Sequence, residues 1–332
     1  LVVVVSLALW MLLGAGEAMA DPPGPTDFQS EVTEIDPDVP GIELEIIGGD
    51  SFVLLTVAEG LAVEVVGYSG EPYLRFLEDG TVEENRRSPS KYLNEDRYAV
   101  VDMPDDAKID ADPEWVLVAD DGSYAWHDHR THWMNEQPPP GRGPGDQIVE
   151  GVVPMLVAGV EVDVTVASIW QDAPSSLPVV AGFAIGLLLA YAAWRHRGSG
   201  PVHVLLLLAL AASVAGGGAY LSMPAETVPP WSLWVFPATS LILASVVVVG
   251  RSRSEVIARH RQTLLLIAAL ELVGWGIAHW DWLWPAVLPT ALPFWLDRLV
   301  ASAVLPGALG AAAVTIVDAA APRRSGLLGS GL

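Results

Sequence analysis

The stretch VEVDVTVASIWQDAPSSLPVVAGFAIGLLLAYAAWR, residues 160–195, decides the fold because its hydrophobic pattern changes part-way along. The first part alternates valine with charged or polar residues, which is typical of a β-strand with one buried face. Residues 178–194 are free of charge and approach the ~20 residues that cross the hydrocarbon core of a bilayer. The short polar segment 171–177 between them predicts a stalk. The sequence therefore predicts a β domain followed by a membrane domain.

The distribution of charge supports this division. The chain has 332 residues, of which 52% are hydrophobic, yet it carries 40 acidic and 17 basic side chains. Residues 21–175 contain 33 acids and 8 bases, whereas residues 176–332 contain 6 acids and 9 bases. Such an acidic first half argues against nucleic acid as a partner, because phosphate contacts require a basic surface. The chain has no cysteine, which excludes disulfides and thiolate chemistry.

Upstream of residue 160, short apolar runs separated by turn residues predict an all-β antiparallel sandwich over residues 39–170. The predicted strands are 42–47, 52–57, 61–68, 73–77, 115–119 and 160–169. Turn sequences such as Asp121-Gly122 separate these runs. About 130 residues are enough for one hydrophobic core.

The first 20 residues predict a secretory signal peptide. Residues 1–13 are apolar, and Ala-Met-Ala at 18–20 has the small-x-small pattern of a cleavage site. No basic segment precedes Leu1, so we expect the start of the signal to be truncated. An uncleaved anchor helix is the alternative. Residues 21–38 are acidic and rich in proline, and we expect them to form a flexible leader.

Downstream of the stalk, the sequence predicts a membrane domain of five transmembrane helices over residues 178–317. The apolar stretches lie at about 178–194, 202–222, 231–250, 263–280 and 299–317. Eight of the nine arginines in this half fall on one side of the membrane if the β domain lies outside, as the positive-inside rule requires. These eight are Arg195, Arg197, Arg251, Arg253, Arg259, Arg261, Arg323 and Arg324. We therefore expect a multi-pass plasma-membrane protein with residues 318–332 as a cytosolic tail.

The segment WLWPAVLPTALPFWLD, residues 282–297, is a competing candidate for a sixth span. Its three prolines each remove a helical hydrogen-bond donor, and a sixth span would place the C-terminal arginines outside. We interpret it instead as an interfacial or re-entrant segment, with its tryptophans at the level of the lipid headgroups.

The segment YAWHDHRTHWM, residues 124–134, is the strongest candidate for a functional site because it holds three of the seven histidines. In a strand, His127 and His129 point to the same side, and a bend after them would return His132 to that side. Neutral imidazole is the commonest metal ligand. Three imidazoles without a thiolate suit zinc or Cu(II).

Two neighbouring side chains refine this prediction. Met134 adds a thioether, which suits Cu(I), so copper is the expected metal and zinc is the alternative. Asp128 is a candidate fourth ligand or outer-sphere partner of a ligating histidine. Two interpretations without a metal remain: a stacked, hydrogen-bonded latch at a sheet edge, and a pH-sensing or partner-binding contact.

The membrane half contains one further candidate site. Glu271 lies near the middle of the fourth predicted span, and His279 follows eight residues later on the same broad helix face. These intramembrane polar residues predict a proton or cation site, because a charged group there needs a partner. A hydrogen bond from Glu271 to a Ser or Thr of another helix is the alternative.

Three runs, GYSGEPYLRF (67–76), SPSKYLNEDRY (88–98) and YAWHDHRTHWM (124–134), resemble a group of uncharacterised actinobacterial envelope proteins. This resemblance covers roughly residues 39–170 and implies an exported β domain joined to a membrane part, without an assigned activity. The architecture alone is also similar to the copper-resistance pairing of a periplasmic copper binder with a membrane transporter. The histidine spacing differs from the motif of that family, so no residue role is carried over.

Together these features predict a membrane-anchored, extracytoplasmic protein that binds a transition metal. We expect a binding protein rather than an enzyme, because the sequence has no evident nucleophile–base motif or phosphate-binding loop. The alternative function is an envelope scaffold, in which the acidic β domain recruits a basic partner protein and the histidines form a latch.

Overall fold

The computed structural model describes residues 23–135, 137–227, 230–250 and 252–321, and these divide into two compact units. The β unit contains the described residues up to Pro174 together with Ala219–Trp231 and Trp284–Ala291. The helical unit contains Ser175–Gly218, Ser232–Leu283 and the described residues from Leu292 onward. The predicted signal peptide, residues 1–20, lies outside the described residues, as do Arg251 and the two C-terminal arginines.

The β unit confirms the predicted antiparallel β-sandwich. Its strands are β1 (Phe28–Asp36), β2 (Ile42–Ile47), β3 (Phe52–Val57), β4 (Val63–Val66), β5 (Pro72–Phe76), β6 (Val82–Asn85), β7 (Trp115–Ala119), β8 (Ser123–His127), β9 (Gln147–Val157) and β10 (Val160–Trp170). Seven strands form one sheet in the order β1-β10-β9-β4-β5-β6-β7, and three form the other in the order β2-β3-β8. Side chains from both sheets enclose one hydrophobic core.

The alternation in β10 places its valines in this core. Val162, Val164 and Val166 are buried, whereas Glu161 and Asp163 are exposed. β10 pairs with β9 through a two-residue turn at Ala158-Gly159, and both turn residues have positive φ. Such a turn matches the right-handed twist of the flanking strands.

Strand β1 shows that the flexible leader is shorter than predicted. Residues 28–36 lie within the predicted leader, but they pair with β10 along the edge of the large sheet. Only Ser30 of this strand is buried, and its acidic side chains are exposed. The sequence did not predict this strand because a segment with so little apolar surface resembles a solvated linker. Its partner, β10, is also more than a hundred residues away in the sequence. The sequence also did not predict β6, β8 or β9.

Two later segments of the chain belong to the β unit, which the sequence did not predict. Thr26 and Val287 exchange two backbone hydrogen bonds of 3.0 and 2.8 Å, and Ala286 N–H donates to the Asp27 carboxylate at 2.9 Å. In the other segment, the Glu226 side chain lies close to the backbone of Ala125 in β8. Ala286 and Val287 belong to the segment predicted as interfacial or re-entrant, so part of that segment is hydrogen-bonded to residues just before β1.

A five-residue helix, α1 (Pro89–Leu93), lies within the β unit, and the other α-helices form the helical unit except for the last three residues of Gly200–Leu221. These are α2 (Leu177–Arg195), α3 (Gly200–Leu221), α4 (Val235–Gly250), α5 (Glu255–Ala278) and α6 (Phe294–Ala320). Five helical stretches of the described chain are long and apolar enough to cross a membrane, which confirms the predicted number. α2 packs closely on α6, because Gly182 and Gly186 lie against the backbone of Leu299 and Ala303.

Candidate metal centre

The three histidines of the candidate site lie on strand β8 and the turn that follows it. His127 is the last residue of β8 and pairs with Phe52 of β3. The chain then turns sharply, since Thr131 donates to the Asp128 carbonyl through both its N–H, at 3.1 Å, and its hydroxyl, at 2.7 Å. This turn brings His132 back beside His127, as the sequence predicted.

The three imidazoles form a compact group. One ligand nitrogen from each ring lies within 4.8 Å of the others, so the group could hold a metal ion. The ring centroids of His127 and His132 are 4.5 Å apart, and His129 lies 5.2 and 5.4 Å from them. A tetrahedral ion with bonds of about 2.0–2.1 Å would draw the nitrogens to roughly 3.4 Å from one another.

Hydrogen bonds to backbone carbonyls fix which nitrogen of each ring carries the proton. Nδ1 of His127 lies 2.5 Å from the Ser51 carbonyl, and Nδ1 of His132 lies 3.0 Å from the Trp133 carbonyl. Because a carbonyl oxygen only accepts, each Nδ1 must donate, and each Nε2 retains its lone pair. Both Nε2 atoms are buried and have no hydrogen-bond partner among the described residues. Metal-binding histidines are typically oriented in this way.

His129 has the opposite tautomer. Its Nε2 lies 3.0 Å from the Asp96 carbonyl and must donate to it, which leaves the lone pair on Nδ1. The resulting set of ligand atoms is Nε2 of His127, Nε2 of His132 and Nδ1 of His129. Each outer nitrogen is held by a backbone carbonyl, so the rings are oriented before any ion arrives.

Burial keeps the three rings neutral. It lowers the pKa of His127 to about 3 and that of His132 to about 2, with smaller contributions from the neighbouring rings and from the Arg97 guanidinium. The pKa of His129 is also lowered, chiefly by burial. Neutral imidazole is the form that binds metal, so at neutral pH few protons compete with an ion.

Asp128 stabilises the turn rather than bonding to an imidazole. Its fully buried carboxylate accepts hydrogen bonds from Arg130 Nε at 2.8 Å, Arg130 Nη2 at 2.6 Å and Trp126 Nε1 at 2.9 Å. Burial alone would raise the pKa of Asp128, but the Arg130 guanidinium lowers it below its usual value. The predicted fourth ligand or outer-sphere partner therefore acts as a positioning residue.

Met134 follows His132 by two residues and is half-buried. The group of converging ligand atoms consists of three imidazoles, and within the described chain it includes no carboxylate. Coordination by the Met134 thioether stays a prediction.

Tyr68 is a site residue that the sequence did not predict. Its ring stacks on His129 with centroids 5.7 Å apart and an angle of 11°, and the Arg130 guanidinium lies 5.0 Å above the ring. Its hydroxyl accepts a hydrogen bond from the backbone N–H of His129 at 2.8 Å and donates to Asn94. Tyr68, Asn94 and the histidines come from the three runs GYSGEPYLRF, SPSKYLNEDRY and YAWHDHRTHWM, so these runs converge at one place.

Three strands of the large sheet contact the turn at Asp128–His132. The Ser30 hydroxyl donates to the Thr131 carbonyl at 2.6 Å, and Arg130 Nη1 donates to the Val66 carbonyl at 3.0 Å. Gly151 of β9 lies directly against the Arg130 carbonyl, leaving no room for a Cβ. These contacts fix the turn from three strands, β1, β4 and β9.

Glu271 and His279, in the helical unit, have separate partners. The Glu271 carboxylate lies near the Thr239 side chain of α4, whose hydroxyl donates to the Val235 carbonyl of its own helix at 2.7 Å. His279 follows the end of α5, and its Nδ1 bonds to the Trp275 carbonyl at 3.0 Å. The predicted pairing of the two residues in one proton or cation site gains no support from these contacts.

Comparisons with models of known protein families, with curated proteins and with solved structures found no match. The function must therefore be inferred from the geometry of this chain.

Proposed function

We propose that this protein is a membrane-anchored, extracytoplasmic metal-binding protein whose three histidines hold one transition-metal ion. One observation carries the proposal: the three imidazoles each bring a ligand nitrogen within 4.8 Å of the others, and the buried Nε2 atoms of His127 and His132 have no partner among the described residues. Leaving buried polar atoms unpaired costs about 1–3 kcal/mol each. A bound ion would use both lone pairs and remove that cost.

Copper is the proposed metal, with zinc as the alternative. Three imidazoles suit Cu(II) and zinc alike, and copper binds such sites more tightly in the general order of metal affinities. The nearby Met134 thioether would serve Cu(I), so the segment offers ligands for both oxidation states of copper.

The proposed orientation places the β unit outside the cell and the C-terminus in the cytosol. It is supported by the predicted signal peptide and by the arginines between and after the predicted spans. Reporter fusions after Arg261 and Arg324 should both read as cytosolic. An external signal at either position would contradict this orientation.

Metal titration of the full chain in detergent tests the proposal. Calorimetry with Cu(II), Cu(I) and Zn(II) should show one equivalent bound to the wild type and none to a His127→Ala/His129→Ala/His132→Ala variant. His279→Ala is the matched control, since it removes a buried histidine outside the group, and it should bind as the wild type does. A wild type that binds no ion, or a triple variant that binds equally well, would overturn the proposal.

The structural latch remains a second candidate because of one observation, the stacking of Tyr68 on His129 together with the backbone bonds of His127 and His132. A latch predicts that the triple variant loses stability although the wild type binds no metal. The same titration combined with thermal denaturation distinguishes the two functions.

A further inference from the structure

A cavity of about 320 Å³ lies beside the three histidines in the β unit. Its wall includes His127, the adjacent Ser51 and Phe52 of the neighbouring strand, and Arg97 and Tyr98 from the segment after α1. His127 is thus both a candidate ligand and a wall of this cavity. The cavity is large enough for a small molecule.

Arg97 is the cationic side chain of this wall. Its Nη2 bonds to the fully buried Asp50 carboxylate at 2.6 Å, and its side chain is 26% exposed. Arginine has five N–H donors in a planar fork, so this bond leaves others for a ligand. Arg97 also lines a smaller adjoining cavity of about 210 Å³. The guanidinium is therefore anchored at one end and accessible at the other.

The two acidic residues of the wall are already engaged. The Asp96 carboxylate accepts from the backbone N–H groups of Tyr98 and Val100, both at 2.9 Å. The Glu95 carboxylate pairs with Lys91 at 2.9 Å. The bonds from backbone N–H groups leave the Asp96 carboxylate its negative charge, and Arg97 is the cationic group of the wall.

The charge balance of the site also calls for an anion. Three neutral imidazoles give a divalent ion no ligand that carries a charge. An ion with three protein ligands keeps a position for an external ligand. A carboxylate can bridge a metal and an arginine, because arginine binds carboxylates through paired N–H groups.

We propose that this cavity binds a small carboxylate, with one oxygen on the metal and the other on the Arg97 guanidinium. This inference rests on the proposed metal site and names the class of ligand that the site accepts. The ligand completes the coordination of the oxidised metal, Cu(II), whereas the Met134 thioether suits the reduced metal.

Azide and acetate titrations of the Cu(II)-loaded full chain in detergent test the inference. Azide should give a saturable charge-transfer band, and acetate should compete for the same site. Arg97→Gln should weaken azide binding at least tenfold while Cu(II) affinity stays equal or rises, because a repelling cation has been removed. Arg86→Gln, which removes an arginine paired with Glu114 outside this cavity, should leave both affinities unchanged.

A ligand-binding role for Arg97 predicts that Arg97→Gln lowers azide affinity without lowering Cu(II) affinity. A purely structural role predicts that both affinities fall. Arg97→Gln leaves the buried Asp50 carboxylate without its cation, so the double variant Asp50→Asn/Arg97→Gln provides a second test in a neutral background. It should show the same loss of azide affinity. An unchanged azide affinity in either variant, or no azide band on copper-loaded wild type, would overturn this inference and leave the proposed metal site standing. Failure of the wild type to bind copper would overturn the metal site as well.

Discussion

Buried histidines occur in both units, but their surroundings differ. In the helical unit, His279 bonds to the Trp275 carbonyl, stacks on the Trp275 ring at 3.8 Å and lies 5.0 Å from the Trp282 ring. In the β unit, His127 and His132 also bond to a carbonyl through Nδ1, but each leaves a buried Nε2 that has no partner in the part of the chain described.

This difference shows that burial alone does not make a histidine a ligand. One imidazole with a carbonyl on one nitrogen and aromatic rings beside it is held as a packing residue. Three neighbouring imidazoles, of which two have a buried nitrogen without a partner in the described chain, form a site that an ion would stabilise. The same residue type therefore has a structural role in one unit and a candidate functional role in the other.

The largest expected effect is acid destabilisation of the β unit. The pKa values of His127 and His132 are about 3 and 2 in the folded protein, against about 6.5 when unfolded. The unfolded chain therefore binds more protons below pH 6.5, and stability should fall as pH drops from 6.5 towards 3. At pH 5 the loss should be about 2 kcal/mol per histidine.

Urea denaturation of the full chain in detergent at pH 7.5 and about pH 5 measures this loss, since protonation of histidine spans that range. A His127→Leu/His132→Leu variant should lose less stability over the same interval. An equal loss in the variant would show that these rings do not account for the acid sensitivity. Added Cu(II) should protect the wild type and leave the variant unchanged.

The second prediction concerns the turn that carries the histidines. Asp128→Asn removes the charge that pairs with the buried Arg130 and should destabilise the protein by about 3 kcal/mol. Metal affinity should fall as well, because the turn positions His129 and His132. Asp163→Asn, at an exposed position of β10, is the control and should change stability by less than about 0.5 kcal/mol. Equal thermal midpoints for the two variants would contradict the assigned role of Asp128.

The third prediction tests the support of the turn by the large sheet. Gly151→Ala places a methyl group against the Arg130 carbonyl, so the turn must shift, at a cost of about 1–3 kcal/mol. Copper affinity should decrease with it, as calorimetry can measure. Gly143→Ala is the matched control, because its Cβ would meet open space. If Gly151→Ala bound copper as the wild type does, the position of the turn would not matter for the site.

The smallest effect is expected in the helical unit. Thr239→Val removes a hydroxyl that lies near Glu271 and should cost no more than about 0.6 kcal/mol, the average for a hydrogen bond between membrane helices. Copper affinity should be unchanged, because neither Thr239 nor Glu271 belongs to the group of three histidines. A thermal melt and a copper titration check both parts. A shift in copper affinity would connect the intramembrane carboxylate to the metal.

Local patterns predicted much of the fold. Strands β2, β3 and β7 match their predicted bounds because their apolar runs are short and flanked by turn residues. The helices α2 to α6 each overlap a predicted span, since a long apolar run needs no distant contact to specify it. β1 and β8 were not predicted, because neither has a hydrophobic pattern that distinguishes it from a polar segment.

The sequence alone determined that this chain has a β-sandwich, five apolar helices and a histidine-rich segment with a bend. These features depend on alternation, run length and residue type within short windows. The tertiary structure alone decided which ring nitrogens are left without a partner, because Ser51 and Asp96 supply the carbonyls from distant parts of the chain. It also placed Arg97 beside His127 and committed Asp128 to Arg130. Hydrogen-bond partners and charges that come together only on folding have no signature in a local pattern.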